Sequence, residues 1–231
     1  MKINKVAVIG AGLMGSGIAA QVANAGFPVT LLDIVPDGAT NRNVIAESAV
    51  RKMLKPVKLG SPAPLMHKKN AKLITTGNID DNLDLIKDAD LIIEVVLERL
   101  DIKHDVFSKI QKYRKKGSIV TSNTSTIPRE QLVKGMSESF AKDFMITHFF
   151  NPPRYLRLLE IVSGSEVSSD KVQIVSDFCD INLGKEIVVC NDTPGFIGNR
   201  IGTYWTLVGM VEAFKSNLTV EEADAVMSRP I

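Results

Sequence analysis

The sequence predicts an α/β fold, a doubly wound and mostly parallel sheet followed by the beginning of an all-α domain. Three observations predict it. Short apolar runs alternate with amphipathic stretches along most of the chain, as strand–helix units do. A glycine-rich turn, Gly10-Ala11-Gly12-Leu13-Met14-Gly15, joins the first apolar run to the first helical pattern. After Cys190 the pattern changes to an apolar stretch too long for a strand. A length of 231 residues, with 45% hydrophobic and 23% charged side chains, fits one and a half domains with a sizeable core. It excludes disordered and collagen-like chains.

The apolar runs place strands at 5–9, 29–33, 71–75, 91–95, 118–121 and 144–148, with two more at 156–161 and 185–189. Helical spacing falls at 13–25, 39–54, 102–115 and 171–182. Residues 55–69, rich in proline and lysine, read as an exposed basic loop. Asn191-Asp192-Thr193-Pro194-Gly195 is a turn and helix-start signal, with Asp192 or Thr193 as the cap and Pro194 in the first turn. A helix over 196–214 follows, then a short one capped by Thr219 with Glu221 and Glu222 in its first turn. The boundary near Asn191 divides the chain into 1–190 and 191–231. The ending Met227-Ser228-Arg229-Pro230-Ile231 does not read as a natural stop, and predicts a helical domain that continues in a longer parent chain.

A net charge of +2 argues against nucleic acid as the main partner. No apolar run reaches the ~18 residues a membrane span needs. Met1-Lys2-Ile3-Asn4-Lys5 leads straight into the first strand without a signal core or a transit segment, so a cytoplasmic protein is expected. Cys179 and Cys190 form no ligand cluster and read as reduced, buried thiols, and no metal is expected.

The glycine turn has a mechanism as a phosphate cradle. Gly10 permits the tight turn, Gly12 lets the backbone approach a pyrophosphate, and Gly15 lets the helix pack closely on the strand. The phosphates would then meet free N–H groups at the helix N-terminus, where the dipole favours negative charge. The second strand ends in Asp33, followed by Ile34. A carboxylate there can bond a ribose 2′-hydroxyl and repel a 2′-phosphate, which favours NAD over NADP.

Chemistry on NAD needs a group that moves a proton. His67 lies in the basic loop and His104 in a polar helix, both surface settings. His148 ends an apolar strand, at the carboxyl edge where α/β sheets place their ligands. Glu160 stands inside the apolar run Leu158-Leu159-Glu160-Ile161-Val162. A buried carboxylate is costly unless paired, and His148 is the obvious partner; surface pairing with Arg154 or Arg157 is the alternative. A carboxylate on one imidazole nitrogen fixes the tautomer and leaves the other nitrogen as a base. The run Ser122-Asn123-Thr124-Ser125-Thr126, again at a strand end, and Asn199 in the last unit offer groups to orient an oxygen. As a plain turn, the Ser/Thr/Asn run would need no such role.

Taken together, these residues resemble the 3-hydroxyacyl-CoA dehydrogenase family over essentially the whole chain. The resemblance runs through Gly10–Gly15, Asp33, Glu94 to Glu98 with Lys103, Ser122 to Thr126, His148 to Pro152, Glu160, and Asp192 to Arg200. It implies a Rossmann-like NAD domain followed by a smaller helical domain that closes the cleft and builds much of a homodimer. It implies oxidation of (3S)-3-hydroxyacyl-CoA by NAD in fatty-acid β-oxidation, with His148 and Glu160 catalytic and Ser125 and Asn199 on the substrate. The implied cofactor contacts are Gly10, Gly12, Leu13, Met14, Gly15, Asp33, Glu98, Lys103 and Asn123. For coenzyme A it implies a serine and a lysine in the arm of residues 39–58, which carries Arg51, Lys52, Lys55 and Lys58. Matching on Glu47-Ser48 puts the serine at Ser48. Matching on Arg51-Lys52 puts Ala49 there and the lysine at Lys55. A short-chain 3-hydroxybutyryl-CoA dehydrogenase and a non-catalytic NAD-binding relative carry the same motifs. The 3-hydroxyisobutyrate and 6-phosphogluconate dehydrogenases share the glycine turn but use a lysine where this chain has a His–Glu pair.

Overall fold

The computed structural model describes residues 2–56 and 62–227. Eight strands form one sheet in the order β3-β2-β1-β4-β5-β6-β7-β8. They are β1 (Val6–Ile9), β2 (Val29–Asp33), β3 (Ile74–Asn78), β4 (Leu91–Glu94), β5 (Ile119–Ser122), β6 (Phe144–Phe149), β7 (Leu158–Ser163) and β8 (Glu186–Val189). Every pairing is parallel except β6 with β7. The order reverses between β1 and β4, so the loops after β1 and β4 part at one crevice, the place where such sheets bind ligands.

The helices α1 (Leu13–Asn24), α2 (Val44–Met53), α3 (Leu100–Tyr113), α4 (Arg129–Val133), α5 (Glu138–Ala141) and α6 (Ser169–Asp177) cover the sheet. The period of two along β1 decides which face each side chain serves. Val6 and Val8 join a core with Ile18, Val22, Ala46 and Val175 of α1, α2 and α6. Ala7 and Ile9 join the other core, with Phe107 and Ile110 of α3 and a cluster of Phe140 and Phe144. The central strands are buried on both faces, which is why they read as unbroken apolar runs.

Beyond β8 come α7 (Gly198–Lys215) and α8 (Val220–Met227). At α8 the expected cap is present as a capping box. The Thr219 hydroxyl accepts from Glu222 N–H at 3.3 Å, and Glu222 accepts from Thr219 N–H at 2.9 Å. Among the described residues no helix is long and apolar enough to cross a membrane.

Several boundaries differ from the expected ones. Residues 71–73 belong to a 3-10 turn (Lys68–Leu73), so β3 begins at Ile74, three residues later than its composition indicates. The helix expected from 39 starts at Val44, because Asn41 turns the chain by accepting from Asn43 N–H. The strand expected over 156–161 runs Leu158–Ser163, in register with β6. The helix expected over 171–182 starts at Ser169 and widens into a π-turn at Phe178–Asn182. Asp192 does not cap the helix that follows it. Its carboxylate accepts instead from Arg129 and Glu130 N–H at the start of α4. Lys58 and residues 228–231 lie outside the described residues.

Candidate active site

The glycine turn brings α1 up under the carboxyl ends of β1 and β4. Gly10 has φ of 109°, and a side chain there would run into the Val95 carbonyl. A side chain at Gly15 would strike the Gly10 carbonyl, so α1 can pack this closely only with glycine. Gly12 differs: nothing lies within 4 Å of where its Cβ would stand. It is also the α1 N-cap and supplies no side-chain cap, so the first-turn N–H groups keep open capacity for an anion. At the end of β2, Asp33 Oδ2 accepts from Ala11 N–H at 2.5 Å, and Oδ1 accepts from Ile34 N–H at 2.7 Å. The carboxylate is thereby fixed beside the turn. These residues fit a dinucleotide: an open backbone for its pyrophosphate and an anchored acid for its ribose.

At the far end of the crevice, β6 and β7 pair so that His148 stands opposite Glu160. Glu160 Oε2 lies 2.7 Å from His148 Nδ1. An ionised carboxylate only accepts, so the proton of this bond sits on Nδ1 and leaves the Nε2 lone pair free. Oε1 accepts from Ile197 N–H at 2.9 Å and Gly198 N–H at 2.7 Å, the amides of the N-cap residue and the first residue of α7. The buried charge is therefore satisfied by an imidazole and a helix N-terminus. The surface pairing with Arg154 or Arg157 is absent: Arg154 donates to the Ala63 carbonyl and Arg157 pairs with Glu186. Two rings flank the imidazole, Phe150 at 4.5 Å and Phe196 at 5.6 Å between centroids. Phe196 has φ of 46°, a strained conformation for a bulky residue, held by burial of its ring beside His148. A Cβ on Gly198 would come 2.8 Å from the tip of the Phe150 ring, so a larger residue there would have to displace that ring from beside His148. Cys190 is close by. Burial pushes its thiol up to about 11, with the Glu160 charge adding to the effect.

Between these ends lies a buried ionic group. Lys103, 1% exposed, donates to both Glu94 oxygens at 2.8 and 3.0 Å and pairs with Glu98 at 3.2 Å. Glu94 Oε2 also accepts from the Ser122 hydroxyl at 2.6 Å. Burial drives the Glu94 carboxyl above the usual range, against the pull of Lys103 and Ser122. Burial also works to raise Glu98, but hydrogen bonds from Thr124 and the Ser125 amide, with the Lys103 charge, bring it below the usual range. Glu98 Oε1 accepts from Thr124, Ser125 and Thr126, and so sets the turn that carries Asn123 and Ser125. Asn123 Oδ1 in turn accepts from Phe149 N–H at 2.9 Å, beside His148.

Gly10, Gly15, Asp33 and Glu160 stand behind the lining of the site, and the other expected site residues fall into three places. Gly12, Leu13, Met14, Glu98, Lys103, Asn123, Ser125 and His148 line one cleft of about 460 Å³. Ser48, Ala49 and Lys55 line a larger cavity of about 1000 Å³ on the α2 side, which meets the cleft at Gly12, Leu13 and Asn151. Both registers of the α2 arm thus reach the same wall. Asn199 is on the first turn of α7, next to the amides that bind Glu160, and is not part of the cleft lining. Sequence reasoning missed the two α7 amides and the Phe150–Phe196 flanks. Glu94 carried a related signal: it closes the apolar run of β4 with Lys103 nine residues on, a carboxylate that burial obliges to pair. Among the described residues, no group of three or more His, Cys, Asp or Glu side chains is placed to hold a metal ion.

A glycine-turn nucleotide cleft ending in a carboxylate-held histidine defines a dinucleotide-dependent dehydrogenase architecture. Residues 5–193 match the family model described as 3-hydroxyacyl-CoA dehydrogenase, NAD binding domain. The chain belongs to that family, and NAD is its cofactor. The chain is 46% identical over 224 residues to a probable 3-hydroxyacyl-CoA dehydrogenase of Deinococcus radiodurans, covering 97% of this chain and 64% of that one. It is 46% identical over 203 residues to a putative fatty acid oxidation complex trifunctional enzyme of Rickettsia felis, covering 88% of this chain and 28% of that one. The chain thus spans less than two thirds of either relative. Among solved structures, M. tuberculosis FadB2 superposes with a TM-score of 0.81 at 27% identity, covering 100% of this chain and 80% of that one.

Proposed function

We propose that the chain oxidises a (3S)-3-hydroxyacyl-CoA to the 3-ketoacyl-CoA with NAD, as a step of fatty-acid β-oxidation. The observation that carries the proposal is the buried His148–Glu160 pair, with Nε2 free, at the end of the nucleotide cleft. NAD, when bound, supplies the hydride acceptor. Gly10, Gly12, Leu13, Met14 and Gly15 hold its pyrophosphate, and Asp33 its ribose. Glu98, Lys103 and Asn123 hold its nicotinamide half.

His148 takes the hydroxyl proton of the substrate on Nε2. Glu160 fixes the imidazole and offsets the positive charge it gains. Ser125 and Asn199 orient the reacting oxygen. Ser48 and Lys55 take the coenzyme A part, in the larger cavity, where a lysine suits phosphate. In this reading residues 1–190 form the NAD domain and 191–231 belong to a helical unit. The exposed apolar side chains of α7 support a homodimer as the assembly. A cytoplasmic location is the matching compartment.

The test is NADH formation from (3S)-3-hydroxybutyryl-CoA and longer acyl-CoA substrates. Turnover supports the proposal. NADH binding without turnover of any chain length would identify a non-catalytic NAD-binding relative instead.

A further inference from the structure

Lys185 stands just before β8 and is 2% exposed. A buried ammonium is costly unless hydrogen-bonded, and here backbone and an aromatic face answer the charge. Nζ donates to the carbonyl oxygen of Pro153 and, at 2.8 Å, to that of Leu156. It also stands 5.6 Å from the centre of the Phe149 ring. Burial pushes the ammonium down to about 8. The neighbouring Cys179 is pushed by burial up to about 12 and stays a neutral thiol, so it supplies no counter-charge.

The two carbonyls belong to the segment that joins β6 to β7, and Phe149 is the last residue of β6, so all three partners stand between His148 and Glu160 in the chain. The segment's other ties are at or near the surface: Tyr155 and Leu156 N–H donate to the Pro152 carbonyl, Glu186 N–H donates to the Arg157 carbonyl, Arg154 donates to the Ala63 carbonyl, and Arg157 pairs with Glu186. Its outer side is one wall of the larger cavity. Pro153, Arg154 and Tyr155 line it together with Ser48, Lys52 and Lys55. The wall sits close on α1, since a Cβ at Gly17 would come 2.9 Å from the Pro153 ring. The two ends of the segment are fixed without Lys185. His148 and Glu160 pair across the strands, and Asn123 holds Phe149 N–H.

We propose that Lys185 is a positioning residue for substrate binding, fixing the Pro153–Leu156 wall from inside the protein while taking no part in proton transfer. This rests on the reading above that the coenzyme A part of the substrate occupies the larger cavity. Lys185 acts on how firmly the substrate is held, and the sheet acts on where His148 stands. The two effects separate kinetically.

The experiment uses Lys185→Met in the full chain, with Lys185→Gln, which keeps an amide donor, as the second variant. The expected result is a KM for (3S)-3-hydroxybutyryl-CoA raised about tenfold, one charge-assisted contact's worth of affinity, with kcat and the Kd for NADH nearly unchanged. Amide hydrogen exchange should quicken at Tyr155 and Leu156 and stay slow at Phe149. Lys185→Gln should fall between wild type and Lys185→Met. An unchanged KM with slow exchange at Tyr155 and Leu156 overturns the proposal. So does a fall in kcat at constant KM, a parallel loss of NADH affinity, or failure of both variants to fold. Should the wild-type chain not oxidise the substrate, the proposed function fails. Exchange at Tyr155 and Leu156 would still decide whether Lys185 fixes the wall.

Discussion

The sheet domain and the α7–α8 pair are built on opposite terms. In the sheet, central strands are buried on both faces, and helices α1 to α6 close two apolar cores over them. In α7 and α8 no residue is buried, and Leu207, Met210, Val211 and Phe214 of α7 stand exposed. The first region is held by packing. The second has its own backbone ladder and a capping box, and the Glu160 carboxylate ties its start to the sheet domain. The same carboxylate serves His148. The residue that completes the proposed proton-transfer pair is therefore also a joint between the two regions.

Removing that joint should have the largest consequence. Glu160→Ala should lower kcat by ~10²–10⁴-fold, the range of general-base catalysis, since His148 loses its orienting partner. It should also speed amide exchange at Ile197 and Gly198 while leaving β4 and β5 protected. Slow exchange at Ile197 and Gly198 in that variant would show that α7 is docked by something other than Glu160. The two regions should also differ in what one apolar truncation costs. Phe144→Ala, in the buried aromatic cluster with Phe107 and Phe140, should cost about 3–5 kcal/mol in chemical denaturation. Leu207→Ala, at a position on α7 exposed in the single chain, should stay within about 0.5 kcal/mol at dilutions where the chain is monomeric, and cost more only where two copies pair through α7. A large loss at Leu207 would mean that the α7 face is covered in solution. A smaller effect is expected at Gly12, where the protein leaves open space for a Cβ. Gly12→Ala should keep the wild-type stability yet raise the Kd for NADH about tenfold, or ~1.4 kcal/mol, by obstructing the close approach of the pyrophosphate. Unchanged affinity would remove Gly12 from the cradle.

The two regions also differed in how much the sequence revealed. Strands β1, β2 and β4 and the glycine turn were legible because burial on both faces writes a continuous apolar run, and the turn chemistry sits at fixed offsets from it. The pairing of His148 with Glu160 was legible because a carboxylate inside an apolar strand demands a partner. Its second oxygen was not. The partners of Oε1 are backbone amides of Ile197 and Gly198, and backbone groups carry no sequence signal. The cap at α7 misled for the same reason. Asp192 has the composition of a local cap, but the fold carries it to α4, and the carboxylate of Glu160, 37 residues before Ile197, takes its place. Lys185 was likewise invisible as a buried group, since its partners are two carbonyls and a ring from another segment. The start of β3 was misplaced because Ala71 to Leu73 look apolar enough for a strand, yet the chain spends them on a 3-10 turn.

The proton-transfer role of His148 is tested most directly by comparing wild type with His148→Gln for NADH formation from (3S)-3-hydroxybutyryl-CoA, with NADH binding measured on both. The expected result is turnover by the wild type, a loss of ~10²–10⁴-fold in kcat for His148→Gln, and an unchanged Kd for NADH. A variant that keeps kcat within a few-fold of wild type would contradict it.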